Sequence, residues 1–230
     1  VKIEEDKLNK GNAIFFNNKK IKADYYVIAC GPWNRKLLPR YLQKITYTSR
    51  QEVYFFSIPN NNISNYSIEK MPCWMDLNEL TPTYYGMPFH LNKGFKVAYD
   101  ERNILFDPDE SDRIPMPKLI TRVKKYIYNR FPGLSGLPIT ETKVCQYENS
   151  IDGNFIINKH DKANNVLILG GSSGHGFKMG PGIGELVKDV ILNNKEIPAF
   201  FNKERLENSK YSSQYYNSQI KYHPKKRFFN

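Results

Sequence analysis

The chain has 230 residues and a formal net charge of +11, from 34 lysines and arginines against 23 aspartates and glutamates. A hydrophobic content of 40% and an aromatic content of 14% exclude a disordered chain, and no apolar run approaches the ~20 residues that span a bilayer. Three scattered cysteines are too few for a disulfide framework or a zinc site. Together with a charged N-terminus, these features predict a soluble, cytoplasmic globular protein of one or two domains.

The positive charge is densest at the C-terminal end of the chain. From residue 201 onward there are seven lysines and arginines against two glutamates, interleaved with tyrosines and phenylalanines. A nucleic-acid contact uses such a mixture, but no nucleic-acid-binding motif accompanies it. A solvated basic tail over 196–230 is therefore the favoured interpretation, and binding of a partner or a nucleic acid is the alternative.

The first segment predicts strands followed by a short helix. Apolar residues at 13–16 and 25–29 flank a polar turn at 17–20, and the second run predicts a strand that is covered on both faces. This strand stops at Cys30-Gly31-Pro32, before a helix-like stretch from Asn34 to Leu38. Open α/β sheets bind ligands where a buried strand ends in such a turn.

Residues 46–140 have a different sequence pattern, in which stretches of β-branched and aromatic residues alternate with turns. An amphipathic helix is predicted from Pro117 to Phe131, and Pro132-Gly133 ends it. This pattern is typical of a mainly antiparallel sheet with one covering helix. The predicted strands are 52–57, 83–86 and 94–99, and the predicted turns are 59–62 and 92–94.

The third segment combines a strand, a glycine-rich loop and a helix. The strand over Asn165–Leu169 leads into the loop 170–178, and the helix is predicted from Gly182 to Leu192. Backbone N–H groups and the positive end of the helix dipole converge in such an arrangement and favour an electron-rich ligand. The loop lacks the Gly-Lys-Ser/Thr ending of a Walker motif. A flexible connection without a ligand is the alternative.

Several motifs resemble the sarcosine oxidase family, flavoproteins of the D-amino-acid-oxidase superfamily that include N-methyltryptophan and fructosyl-amine oxidases. The resemblance covers residues 10–195 and implies an α/β protein. It joins a Rossmann-like FAD-binding domain to a mainly antiparallel substrate domain. The motifs that carry it are Ala23-Asp-Tyr-Tyr-Val-Ile-Ala-Cys-Gly-Pro-Trp33, Arg50-Gln51, Tyr85-Gly-Met-Pro88, Gly94-Phe-Lys96, Cys145-Gln-Tyr147, Asp152-Gly-Asn-Phe-Ile-Ile157 and Gly174-His-Gly-Phe-Lys178.

The resemblance implies a domain order. Residues 1–45 and 141–195 would belong to the FAD-binding domain, 46–140 to the substrate domain and 196–230 to the basic tail. The Gly-x-Gly-x-x-Gly fingerprint that opens the FAD domain in this family is absent. We therefore expect an incomplete FAD domain without its N-terminal half, as a truncated sequence, a fragment or a split protein that a separate chain completes.

The resemblance also implies roles for individual residues. Lys96 matches the lysine that promotes reaction of reduced flavin with oxygen, and Cys145 matches the cysteine that tethers FAD. From composition alone, a solvated lysine and an ordinary buried cysteine are the alternatives. The other implied substrate contacts are Tyr85, Tyr147, Lys178 and Asp100. The other implied cofactor contacts are Ala29, Cys30, Gly31, Trp33, Gly174, His175, Gly176, Phe177 and Lys178.

The implied activity is FAD-dependent oxidation of a secondary amine by oxygen, which gives an imine or aldehyde and hydrogen peroxide. The amine would be an N-methyl amino acid, a sarcosine-like compound or a fructosyl amine. Asp100 stands where sarcosine-oxidising members carry a histidine, which disfavours sarcosine and favours a cationic or polyhydroxyl amine. The alternatives are a different electron acceptor, or a non-catalytic remnant that binds a partner or nucleic acid through its tail.

Overall fold

A computed structural model describes residues 13–16, 19–78, 81–90 and 93–207. These residues form two compact units. Unit 1 combines the described residues up to Thr48 with those from Tyr147 onward, and unit 2 comprises those from Ser49 to Gln146. The domain boundaries given above stay predictions.

The elements below are those of the described residues, and no helix among them is long and apolar enough to cross a membrane. The strands are β1 (Ala13–Phe16), β2 (Lys19–Lys22), β3 (Tyr26–Ile28), β4 (Thr46–Phe56), β5 (Trp74–Asn78), β6 (Thr81–His90), β7 (Gly94–Tyr99), β8 (Ile139–Ser150), β9 (Ile156–His160) and β10 (Ala163–Gly170). The α-helices are α1 (Asn34–Leu37), α2 (Pro39–Leu42), α3 (Pro117–Arg130), α4 (Gly176–Leu192) and α5 (Glu204–Glu207).

Unit 1 contains a three-stranded sheet in the order β3-β10-β9, in which β3 and β10 run parallel and β9 is antiparallel to β10. The predicted strand is present as β3, and among the residues that the structure describes one of its faces is covered. Ile28 is 3% exposed, whereas its neighbour Val27 is 44% exposed. Only the face with Tyr26 and Ile28 packs on the core, so burial alternates along the strand.

The core of unit 1 extends to the start of the predicted basic tail, because Leu206 is buried in it. Arg205 Nε lies 2.8 Å from Asp152 Oδ2, and Lys203 Nζ lies 4.8 Å from the ring centroid of Tyr41. These two cations therefore contribute to the fold of unit 1. The rest of the tail, from residue 208 onward, lies outside the described residues.

Unit 2 contains a five-stranded sheet in the order β5-β6-β7-β4-β8, with antiparallel pairing across β5, β6, β7 and β4. Helix α3 covers one face of the sheet, as predicted. It ends one residue before the predicted limit of Phe131 and buries Leu119, Val123 and Ile127. These side chains pack against a cluster of aromatic residues from the strands, which include Phe56, Phe95, Tyr99 and Trp74.

Helix α4 begins at Gly176, not at the predicted Gly182. Pro181 lies inside the helix. A proline there removes one hydrogen bond, the one to the carbonyl of Phe177. Residues 177–182 are exposed, so water can satisfy that carbonyl and the helix tolerates the proline.

Replacing Ile127 by alanine should lower the free energy of unfolding by about 2–5 kcal/mol, because this side chain is fully buried and its removal leaves a cavity. Urea unfolding followed by tryptophan fluorescence measures the change, since Trp74 packs against the same core. Tyr128→Ala on the exposed side of the same helix is the matched control, with an expected change within about 0.5 kcal/mol. Equal losses in the two variants would contradict the packing of α3 on the sheet.

Candidate functional site

The sheet of unit 2 has one face under α3 and one face turned away from it. Phe95 and Val97 of β7 are fully buried in the core beneath α3. Because side chains alternate along a strand, Lys96 between them points to the other face. Tyr85 of β6 lies on this second face for the same reason, since its neighbour Tyr84 packs against the core.

Three predicted site residues lie near one another in unit 2: Lys96 and Tyr85 on the second face, and Cys145 close enough for its charge to act on Lys96. The Lys96 Nζ atom lies 5.5 Å from the ring centroid of Tyr85. Burial lowers the pKa of Lys96, and the charges of Cys145 and Cys73 act in the opposite direction. Cys145 is partly buried and is not in a disulfide. Cys73 is absent from the predicted set, because nothing in the sequence pairs it with Lys96.

Asp100, which follows β7, forms a two-pronged ion pair with Arg102. The Nε and Nη2 atoms of Arg102 donate to Oδ1 and Oδ2 of Asp100 at 2.8 Å and 2.9 Å. Arg102 is 3% exposed, so its guanidinium holds the carboxylate from the interior. A cationic substrate would compete with Arg102 for these two oxygens. The substrate-binding role of Asp100 stays a prediction.

In unit 1, the loop between β10 and α4 has the backbone conformation that its glycines allow. Gly174 has a φ of +84°, and a Cβ atom added there would lie 2.7 Å from Cε2 of Tyr147. Glycine at this position therefore lets the loop lie directly on the tyrosine ring. Two further predicted residues, Gly174 and Tyr147, are thus in contact.

The first turn of α4 is open. The side chain of its N-cap residue, His175, makes no capping hydrogen bond, and Phe177 and Lys178 are exposed. Cβ atoms added at Gly180 or Gly182 would meet nothing within 4 Å. A positive helix end and glycines with open space beside them fit an electron-rich, flat group such as a flavin.

The turn after β3 carries the other predicted cofactor contacts. Gly31 has a φ of +53° and begins a 3₁₀ turn that ends at Trp33, whose indole is partly exposed. Ala29 and Cys30 are also exposed. The exposed backbone and indole give this turn a surface on which a cofactor ring system can lie.

Glu148 is a buried residue that the sequence prediction missed. It is 3% exposed, and its two carboxyl oxygens accept hydrogen bonds from Asn34 Nδ2 and from the backbone N–H of Gly171, each at 3.1 Å. Burial raises the pKa of Glu148 to about 8, and the two hydrogen bonds oppose this shift. The sequence contains no signal for Glu148, because the polar segment Ile139–Ser150, which forms β8, did not predict a strand.

The family model of FAD dependent oxidoreductases known as DAO matches residues 1–190. The chain belongs to this family. This finding confirms the predicted resemblance, and the mixed α/β fold with its antiparallel sheet is confirmed as well. FAD is the cofactor of the family.

Curated relatives at about 30% identity are similar to most of this chain. Over 181 residues it is 32% identical to monomeric sarcosine oxidase from Bacillus sp., covering 77% of this chain and 45% of the relative. It is 29% identical to human peroxisomal sarcosine oxidase, with 76% and 45% covered. N-methyl-L-tryptophan oxidase from Salmonella dublin is 33% identical over 112 residues, 47% of this chain and 29% of the relative. The chain spans about half the length of the sarcosine oxidases it matches.

Solved structures share the fold. Amadoriase II from Aspergillus fumigatus, a fructosamine oxidase, superposes with a TM-score of 0.69 at 18% identity. The superposition covers 89% of this chain and 49% of the amadoriase chain. Amadoriase I from the same organism gives a TM-score of 0.68, with 91% and 50% covered. None of these relatives supports a separate chain that supplies an N-terminal half, and the Bacillus enzyme is named monomeric.

Replacing Glu148 by glutamine should flatten the pH dependence of stability. Between pH 4.5 and about 8 the folded state keeps a proton that the unfolded state has released, so the free energy of unfolding falls as pH rises. The slope from this group is at most about 1.4 kcal/mol per pH unit. Urea unfolding at several pH values measures the slope, and Glu196→Gln, at an exposed site of unit 1, should leave it unchanged. Parallel curves for wild type and Glu148→Gln would contradict the raised pKa.

Proposed function

We propose that the whole protein oxidises a secondary amine with FAD as cofactor and oxygen as electron acceptor. The amine loses one hydrogen from carbon and one from nitrogen to give an imine, which water hydrolyses to an aldehyde and an amine. Oxygen takes up the two electrons and two protons as hydrogen peroxide. The proximity of Lys96 to Tyr85 and Cys145 in unit 2, in a chain of this family, is the observation that carries the proposal.

Lys96 would act on oxygen. Bound FAD supplies the two-electron acceptor for the amine and the donor for oxygen. The Lys96 ammonium would stabilise the negative charge that develops on oxygen as it is reduced. Partial burial strengthens this effect, because water screens the charge less. The ring of Tyr85, 5.5 Å away, supports the ammonium through a cation–π contact and would also border the substrate.

Cys145 would hold FAD covalently through its Sγ atom. Attack by cysteine requires the thiolate. The Cys145 thiol is partly accessible and is not in a disulfide, as a tether to a bound cofactor requires.

Unit 1 would bind the electron-rich parts of FAD and substrate. The exposed first turn of α4, with Gly174, His175, Gly176 and Phe177, would stabilise negative charge on the flavin. Ala29, Cys30, Gly31 and Trp33 would contact the cofactor from the turn after β3. The exposed cation Lys178 would bind the substrate carboxylate, and the ring of Tyr147 would line the substrate cavity.

The substrate class follows from these groups. An ammonium at position 178 favours an amine that carries a carboxylate, such as an N-methyl amino acid or a fructosyl amino acid. Among the relatives, the names sarcosine oxidase, N-methyl-L-tryptophan oxidase and fructosamine oxidase cover these classes. Peroxide release from the whole protein with sarcosine, N-methyl-L-tryptophan and fructosyl glycine separates them. No peroxide with any secondary amine, but reduction of an artificial acceptor, would exclude oxygen as the acceptor.

The competing function, binding of a partner or nucleic acid through the basic tail, draws no support from the described residues. Lys203 and Arg205 make ion pairs with Asp161 and Asp152 in unit 1. A cytoplasmic location stays a prediction.

Lys96→Gln should lower the rate of reaction with oxygen by about 100-fold or more, because the cation that stabilises charge on oxygen is removed. Stopped-flow mixing of the reduced whole protein with oxygen measures this rate. Anaerobic reduction by the amine should change by less than about fivefold. Lys93→Gln, at an exposed lysine on the same hairpin, is the control and should leave both rates unchanged. An equal loss in both half-reactions would contradict the specific role of Lys96.

Cys145→Ser should abolish covalent retention of flavin, because serine forms no thioether. After denaturation in acid, wild-type protein should keep flavin absorbance with the polypeptide, whereas the variant should release it. Cys73→Ser is the matched control, since Cys73 also acts on Lys96. Retention in Cys145→Ser together with loss in Cys73→Ser would reassign the tether, and release from the wild type would refute it.

A further inference from the structure

Two segments of unit 1 are linked through one buried side chain. They are the turn 30–34, which follows β3, and the loop 170–174, which begins at the last residue of β10, and the proposed function places cofactor contacts in both. The link is formed by Asn34 and Glu148, which are 114 positions apart in the sequence. Nothing in the roles described so far uses Glu148 for chemistry.

Each oxygen of the Glu148 carboxyl holds one of the two segments. Asn34 Nδ2 donates to Oε1 at 3.1 Å and also to the backbone carbonyl of Leu169 at 2.8 Å. The N–H of Gly171 donates to Oε2 at 3.1 Å. Asn34 Oδ1 in turn accepts from the N–H of Cys30 at 2.9 Å, which closes the turn. The backbone of both segments is therefore held by one carboxyl and one amide.

The loop also closes around the backbone of Glu148. The N–H of Ser173 donates to the Glu148 carbonyl at 2.8 Å, and its hydroxyl donates to the carbonyl of Gly171 at 3.0 Å. A Cβ atom added at Gly170 would lie 2.9 Å from Oε1 of Glu148. Glycine at 170 and glutamate at 148 thus fit each other closely, and the loop rests directly on the carboxyl.

We propose that Glu148 is a positioning residue that holds the turn 30–34 and the loop 170–174 in the arrangement that receives FAD. The identity of the ligand rests on the proposed function. At 3% exposure, Glu148 acts through the two segments and not by contact with the ligand. Its loss would let the two segments move independently, and the start of α4 would move with the loop.

The groups around Glu148 allow its role to be tested by neutral substitutions. Burial and the hydrogen bonds from Asn34 and Gly171 set its pKa, and no charged side chain of the described residues contributes. The titratable group beside it is Cys30, whose thiol pKa is raised by partial burial and by the charge of Glu148. Neutral substitutions at 148 therefore remove hydrogen bonds without leaving an opposite charge uncompensated.

Amide hydrogen exchange of the whole protein without FAD tests the link. Glu148→Met keeps the volume and removes both acceptors, whereas Glu148→Gln keeps one acceptor oxygen. We expect exchange in 30–34 and 170–174 to accelerate by about tenfold or more in Glu148→Met, and by less in Glu148→Gln. Glu196→Gln is the matched control and should leave both segments unchanged.

The pattern of exchange separates positioning from space filling. Faster exchange in both segments, with the strands of unit 1 unchanged, supports the proposal. Wild-type exchange in Glu148→Met would overturn it, because the volume alone would then suffice. Acceleration in only one segment would overturn it as well, since the carboxyl would not link the two.

The dissociation constant for FAD completes the test, measured by flavin fluorescence on the same variants in a Cys145→Ser background, which cannot tether the cofactor. It should rise by about tenfold or more in Glu148→Met and by less in Glu148→Gln. Unchanged affinity with accelerated exchange would overturn the role in receiving FAD. If the wild-type protein binds no FAD, the proposed function fails, whereas the exchange result still decides whether Glu148 links the segments.

Discussion

One-sided burial of the unit 2 sheet decides which of its side chains remain for chemistry. Helix α3 occupies one face, and the aromatic core beneath it takes up every second residue of β7. Strand alternation then leaves Lys96 on the other face, with Tyr85 of the neighbouring strand. A lysine that is half-buried among apolar and sulfur-containing side chains carries a poorly screened charge. The packing of one helix thus determines the electrostatics of the opposite face.

Elements with a strong local signal were predicted well. Strand β7 has the bounds that its β-branched and aromatic residues predict, and α3 follows from apolar spacing between Pro117 and Pro132. The predicted start of α4 was wrong. The helix continues through Pro181, because the residues around the proline are exposed and water can satisfy the carbonyl that loses its partner.

The residues of the candidate site likewise fall into those that the sequence predicted and one that it did not. Family motifs identified Lys96, Tyr85 and Cys145, which the structure brings together in unit 2, although their roles stay predictions. Glu148 was not predicted as a site residue, because no motif contains it and β8 is too polar to predict as a strand. Its importance depends on contacts with Asn34 and Gly171, which are distant in sequence. Long-range hydrogen bonds of this kind become visible only when the fold is known.

The ion pair between Asp100 and Arg102 limits how position 100 can evolve. A substitution at Asp100 alone would take two hydrogen bonds from a guanidinium that is almost wholly buried. Removing one partner of such a pair destabilises the fold, and changes at two residues of one ion pair are not additive. Substitutions at position 100 are therefore more accessible to lineages that alter both residues together, or that first gain stability elsewhere.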